Sequence, residues 1–282
     1  MTSPSSWGFH EGDPITAELT VVRRLGGGSA YEAYLAFDEV TYAPVVVKVV
    51  RPDQVADEHA LRGLTREVEA LATVNHPVVV RGLRHELGGA RPHVVLEQVD
   101  GPRLSTLVRR YGPLQEQQYL PLAVELASAL HYLRRLGWVH LDVKPSNVIM
   151  GAPARLIDLS VARPAPDAAR TRQVGTDAYM SPEQADPDQY GDPGPASDVW
   201  GLCATLFEAV AGYRAFDGPG FPQLDRDPAD LPERTPAEVV KVLGAGLDRD
   251  PAKRPLPHEV AEALEPVLYR QPAARLGGFK VG

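Results

Sequence analysis

Near residue 100 the sequence changes its hydrophobic period, and that change constrains the fold more than any other feature. From about residue 16 to 98, short β-branched runs alternate with turn signals: Leu19-Thr20-Val21-Val22, then Ala43 to Val50, then His93-Val94-Val95-Leu96. One helix interrupts them. Its apolar residues Leu61, Leu64, Val68 and Leu71 recur at spacings of three and four, and Asn75-His76-Pro77 ends it. Beyond Asp100-Gly101-Pro102 the period is helical: Leu122, Leu126, Leu130 and Leu133 mark a long amphipathic helix, and Asp198 to Gly212 is apolar nearly all round, which predicts a buried one. The expected chain is therefore α+β and bilobal. A loose Ser/Pro/Gly-rich lead-in covers 1–15, a small strand-rich lobe 16–98 with a hinge near 97–101, a larger helical lobe 99–269, and a tail 270–282.

Composition narrows the partners. The 282 residues carry 29 Lys+Arg against 37 Asp+Glu, a formal net charge of −8, whereas phosphate-backbone binding leaves a basic stripe. Nucleic acid is not the expected partner. A single cysteine, Cys203, allows no intramolecular disulfide and no all-cysteine zinc site. The N-terminus has no basic start followed by an apolar run, and no segment approaches the ~20 apolar residues that span a bilayer. The expectation is a soluble, cytoplasmic chain without a membrane partner. The prolines cluster at 182–195, 217–236 and 251–257, which are connections rather than strand interiors. Only five of the 29 basic residues are lysines, Lys48, Lys144, Lys241, Lys253 and Lys280, so a lysine placed where chemistry needs one is informative.

Leu25-Gly26-Gly27-Gly28-Ser29-Ala30 lies between two strand-like runs. Such a turn leaves backbone N–H groups free to approach phosphate oxygens, although a plain hairpin turn reads the same way. The Gly-x-x-x-x-Gly-Lys-Ser/Thr pattern is absent, and no helix follows the turn as a Rossmann fingerprint demands. A strand follows instead, then another carrying Lys48. On the next helix Glu67 is placed to pair with that lysine; Glu69, two residues on, faces away. The densest segment runs from Val139 to Met150, with Asp142, Lys144 and Asn147 within six residues, followed by Leu156-Ile157-Asp158-Leu159-Ser160. Phosphoryl transfer needs a carboxylate to orient the attacking hydroxyl, oxygen ligands for Mg²⁺, and positive charge near the moving phosphate. Asp142, the pair Asn147 with Asp158, and Lys48 with Lys144 supply these.

In order and content these segments make the chain resemble a eukaryotic-like bacterial serine/threonine protein kinase over residues 16–269. The resemblance implies a small antiparallel-sheet lobe with one main helix, a mostly helical second lobe, and transfer of the ATP γ-phosphate to Ser/Thr hydroxyls of protein substrates, the chain itself included. ATP and Mg²⁺ or Mn²⁺ are the implied cofactors. Leu25, Gly26, Gly27 and Gly28 would cover the phosphates; Lys48, paired with Glu67, would contact the α- and β-phosphates; Ala33, Val46 and Ile149 would enclose adenine, with Leu96 behind it and the backbone of Glu97 and Val99 bonding its edge. Asp142 matches the catalytic base, Lys144 the lysine that steadies the γ-phosphate, and Asn147 and Asp158 the metal ligands. Thr171 and Thr176 fall in the activation segment, which closes at Ser181-Pro182-Glu183. Asp198 matches the aspartate that braces the catalytic loop, and Arg254 the arginine that pairs with Glu183. The last elements favour a protein over a small-molecule acceptor. The other reading of the same fold is a pseudokinase scaffold acting on a partner. A soluble regulatory partner is expected; substrate, upstream signal and oligomeric state are not legible.

Four positions depart from the family pattern. Tyr31 stands where the turn's third glycine would be, which stiffens it and directs a ring either over the phosphates or beneath the lobe. Ala33 and Val46 exchange the family's valine and alanine in the adenine ceiling, a volume-conserving swap. Asp158-Leu159-Ser160 replaces Asp-Phe-Gly, and Ser160 lacks glycine's backbone freedom. Leu141 replaces the arginine beside the catalytic aspartate, so no cation there awaits a phosphate.

Overall fold

The computed structural model describes residues 5–271, so the expected tail lies outside the described residues from 272 on, as do residues 1–4. The small lobe is an antiparallel sheet of β1 (Leu19–Gly27), β2 (Tyr31–Asp38) and β3 (Ala43–Val50), followed by α1 (Glu58–Thr73), β4 (Gly82–Glu86) and β5 (His93–Glu97), in the order β1-β2-β3-β5-β4. Side chains alternate across it. Tyr34, Ala36, Val45, Val47, Val49 and Val95 fill one face, while Val50, Val94 and Leu96 meet Leu64 and Val68 of α1 on the other. Asp57 caps α1, its carboxylate accepting the Ala60 N–H at 2.8 Å.

The lead-in is not loose over the part described. Trp7 and Phe9 stack with centroids 5.8 Å apart and pack on the sheet's outer face with Ile15. The Trp7 indole donates to the Val50 carbonyl at 2.8 Å, and Ser6 Oγ to Glu32 at 2.7 Å. A sheet with a helix on one side only leaves its second face in water, and these aromatics cover it. The Ser, Pro and Gly content hid them.

The large lobe contains α2 (Leu104–Tyr111), α3 (Glu116–Arg135), β6 (Trp138–Val139), β7 (Val148–Ile149), β8 (Arg155–Leu156), β9 (Arg163–Pro164), α4 (Ala165–Ala168), α5 (Pro182–Ala185), α6 (Pro187–Tyr190), α7 (Pro195–Ala211), α8 (Ala237–Gly246) and α9 (Pro257–Tyr269). As its composition predicts, α7 is buried along nearly its whole length, and α3 and α8 pack on it. The β6–β9 and β7–β8 pairs frame the loop that carries Asp142, Lys144 and Asn147. The lobes are stitched together after α1, where Val80 N–H donates to the Leu156 carbonyl at 3.0 Å and Leu156 N–H to that of Val78 at 2.7 Å. No helix among the described residues is long and apolar enough to cross a membrane.

Candidate active site

Lys48 comes from β3 on the face turned toward α1 and the cleft. Its Nζ donates to Glu67 Oε2 at 2.7 Å and to Asp158 Oδ1 at 2.9 Å, so one ammonium joins sheet, helix and large lobe. Burial alone would depress the Lys48 pKa, but Asp158 and Glu67 outweigh it and hold the ammonium above its usual value. Burial likewise works against ionised Asp158, yet Lys48 and the Ser160 N–H keep its carboxyl below the usual range. Glu67 is the exception. Its burial prevails over Lys48 and raises it.

Across the cleft, Asp142 is oriented from several directions. Thr176 Oγ1 donates to its Oδ1 at 2.8 Å, Asn147 Nδ2 to its Oδ2 at 3.0 Å, and Lys144 Nζ lies 2.6 Å from Oδ2. Lys144 also donates to Thr176 Oγ1 at 2.5 Å, which closes a ring of three residues. The loop is held from beneath by Asp198 on α7, whose two oxygens accept the N–H groups of His140 and Leu141 at 2.8 Å each. Burial pushes Asp198 up to about 7 against the pull of those two donors.

Leu141 is buried, with a left-handed φ of 64°. It packs with Val139 and Ala168, and Val161, Ala165 and Val174 join the cluster. Apolar contact therefore ties the loop bearing Asp142 to the segment that follows Asp158, at the position where the resemblance leads one to expect an arginine. Gln184 reinforces the tie, its Nε2 donating to the carbonyls of Leu141 at 2.9 Å and Val174 at 2.7 Å. Thr171 is buried, and its hydroxyl donates to the Ala168 carbonyl at 2.8 Å. The segment's far end is locked by a bidentate pair, Arg254 to Glu183 at 2.7 and 2.8 Å.

A comparison with known proteins fits this geometry. The description "protein kinase domain" matches residues 19–276. The chain belongs to the protein kinase domain family. Similar proteins include the serine/threonine-protein kinase PknB of Mycobacterium leprae, 33% identical over 69% of this chain and 32% of that protein. The probable serine/threonine-protein kinase PkwA of Thermomonospora curvata is 34% identical over 90% of this chain and 35% of its own. PknK of Mycobacterium tuberculosis is 33% identical over 93% and 22%. The chain thus spans about a third or less of the length of these three relatives.

Within this kinase fold the sheet residues Ala33, Val46, Lys48 and Leu96 fall on one face. In the β2–β3 register Ala33 lies opposite Lys48 and Leu35 opposite Val46, so Ala33 and Val46 share the face above the cleft as diagonal neighbours. Val46 is also opposite Leu96 on β5. Glu97 N–H is held by the Arg81 carbonyl at 3.0 Å. In the glycine turn, a Cβ on Gly27 would lie 2.5 Å from the Tyr31 carbonyl oxygen, so the tight closure requires glycine there. Gly28 opens onto free space. Leu159 is buried in the large-lobe core.

The donor set fits a divalent hard cation. Ile157 N–H bonds the Asn147 carbonyl at 2.8 Å across the β7–β8 hairpin, which brings Asn147 beside Asp158. With its amide nitrogen turned to Asp142, Asn147 has its Oδ1 directed elsewhere, and Asp158 retains a second carboxylate oxygen. Few protein oxygens completed by phosphate oxygens and water is how Mg²⁺ is usually held. One contributor escaped the sequence reading: Gln184, whose amide has no period or motif to mark it.

Proposed function

We propose that the chain transfers the γ-phosphate of ATP to Ser/Thr hydroxyls of protein substrates, itself included. One observation carries this reading: Asp142 is oriented by Thr176, Asn147 and Lys144 while the Lys48–Glu67–Asp158 network is closed across the same cleft. Lys48 would neutralise the α- and β-phosphates, the backbone of the glycine turn would cover them, and Lys144 would steady the γ-phosphate. Asp142 holds the acceptor hydroxyl in line and takes its proton as the oxygen bonds to phosphorus and the bond to the β–γ bridging oxygen breaks, releasing ADP. Mg²⁺ bound at Asn147 and Asp158 would supply charge neutralisation for the phosphates. A protein acceptor is supported by a cavity of about 870 Å³ beside Lys144 and Thr176, with Arg109, Glu208, Arg214 and Phe216 in its wall. That space suits a peptide segment flanking the hydroxyl.

The test is transfer of label from γ-labelled ATP, with Mg²⁺ or Mn²⁺, to the chain and to a generic protein acceptor. Asp142→Asn should lower the rate by about 10²–10⁴, the range for removing a general base. No transfer by the unaltered chain, or equal transfer by Asp142→Asn, contradicts the reading.

A further inference from the structure

Tyr31 is the first residue of β2, and its carbonyl accepts the Gly28 N–H at 3.0 Å, so it closes the glycine-rich turn. Its side chain runs beneath the lobe. The phenol donates to the carbonyl of Ala60, in the first turn of α1, at 2.5 Å. One turn further along the helix stands Gly63, where a Cβ would lie 2.6 Å from the phenol oxygen. The ring's face meets Lys48, whose Nζ is 4.9 Å from the centroid. Lys48 is therefore enclosed by Glu67, Asp158 and an aromatic face, and that face belongs to the residue bonded to α1. Burial pushes the phenol up to about 12, ahead of the opposing Lys48, so it is a neutral donor throughout the working range.

We propose that Tyr31 is a positioning residue that locks the glycine-rich turn to α1 and so keeps the Lys48–Glu67 pair closed. An outward swing of α1 has to break the phenol bond and uncover the ring. Where the helix is free, pairing of lysine and glutamate is a switch; here a side chain of the turn itself holds it. Gly63 is the complementary half of the lock. In an ordinary helix interior Gly→Ala is stabilising, whereas here the added methyl has to displace the phenol.

The proposal's rate effects rest on the phosphotransfer reading, but its structural effect does not, so the full-length chain is examined in two ways. Hydrogen exchange reports opening of α1, and initial rates separate kcat from KM for ATP. Tyr31→Phe removes the bond and keeps the ring; it should speed exchange in the first turns of α1 and lower kcat by about fivefold, the size of one net neutral hydrogen bond. Tyr31→Gly restores the family residue and removes the ring as well, and should cost more. Gly63→Ala should act like Tyr31→Phe in the unaltered chain. It should have no added effect in a chain that already carries Tyr31→Phe, where the ring's Cζ is at an ordinary 3.8 Å from the new methyl. Slower exchange and unchanged kcat in Gly63→Ala would overturn the lock. So would an equal effect of Gly63→Ala on both backgrounds, or Tyr31→Gly matching the unaltered chain. If the unaltered chain transfers no phosphate, the function fails, while the exchange data still decide the lock.

Discussion

Two ion pairs of the same 2.7 Å length hold the two lobes in different ways. Arg254–Glu183 is sealed: the side chains are 0% and 1% exposed, the contact is bidentate, and every further bond goes to protein. Arg254 also donates to the carbonyls of Ala196 and Asp248, and Ser197 Oγ donates to Glu183 at 2.7 Å. Lys48–Glu67 is sealed on one side only. Lys48 has a second carboxylate partner, Asp158, whose side chain is 37% exposed and opens to the cleft. A fully satisfied buried pair is a strut. A pair with an open, charged neighbour can still receive phosphate.

Mutations should divide along that line. The largest expected effect is on rate at the open pair: Lys48→Met should lower phosphotransfer by about 10²–10³, the usual cost of removing one aimed charge or donor, measured as kcat/KM for ATP. Its effect on folding should be small, because burial already pushes Glu67 up and a proton can replace the lost ammonium. Arg254→Met should do the reverse, stranding Glu183 and costing about 3–5 kcal/mol in a denaturant titration. Equal stability losses at both sites would erase the distinction. Next comes Thr176→Ala, which frees Asp142 and Lys144 from the hydroxyl between them and should lower kcat by about 10²-fold, as misplacement of a reacting group by an ångström does. The smallest effect belongs to the adenine ceiling. Ala33→Val should raise KM for ATP by about tenfold, as overpacking of a filled site does, and adding Val46→Ala should recover most of it. A double substitution no better than the single one would break the compensation.

What was legible in the sequence followed from chemistry and period. Asp142, Lys144, Asn147 and Asp158 stand close in the chain, and their types leave few uses. Their convergence needed only a hairpin between them, which β7 and β8 provide. Lys48 and Glu67 were legible because a strand and a helix of opposite periodicity flank a turn. The N-terminal segment was misread, since Ser, Pro and Gly outweighed the three apolar side chains, Trp7, Phe9 and Ile15, that cover the sheet. β4 was also missed. Gly-Leu-Arg-His-Glu alternates in no hydrophobic sense, and the strand exists because β5 offers it an edge. Tyr31 could be flagged as a departure, but which way its ring turns depends on Gly63, 32 residues away.

With leucine at 141, the site is expected to assemble without a phosphate on the activation segment. The segment is held by the cluster around Leu141 and by Gln184, while the Thr171 hydroxyl turns back onto the Ala168 carbonyl within the segment itself. The direct measurement is the progress curve of phosphatase-treated enzyme on a generic protein acceptor, run beside Thr171→Ala. Both are expected to be linear from the first time point, with initial rates within about twofold of each other, the low end of what one local neutral hydrogen bond is worth. A lag that preincubation with ATP abolishes in the unaltered chain, together with Thr171→Ala staying inactive after the same preincubation, would contradict that expectation.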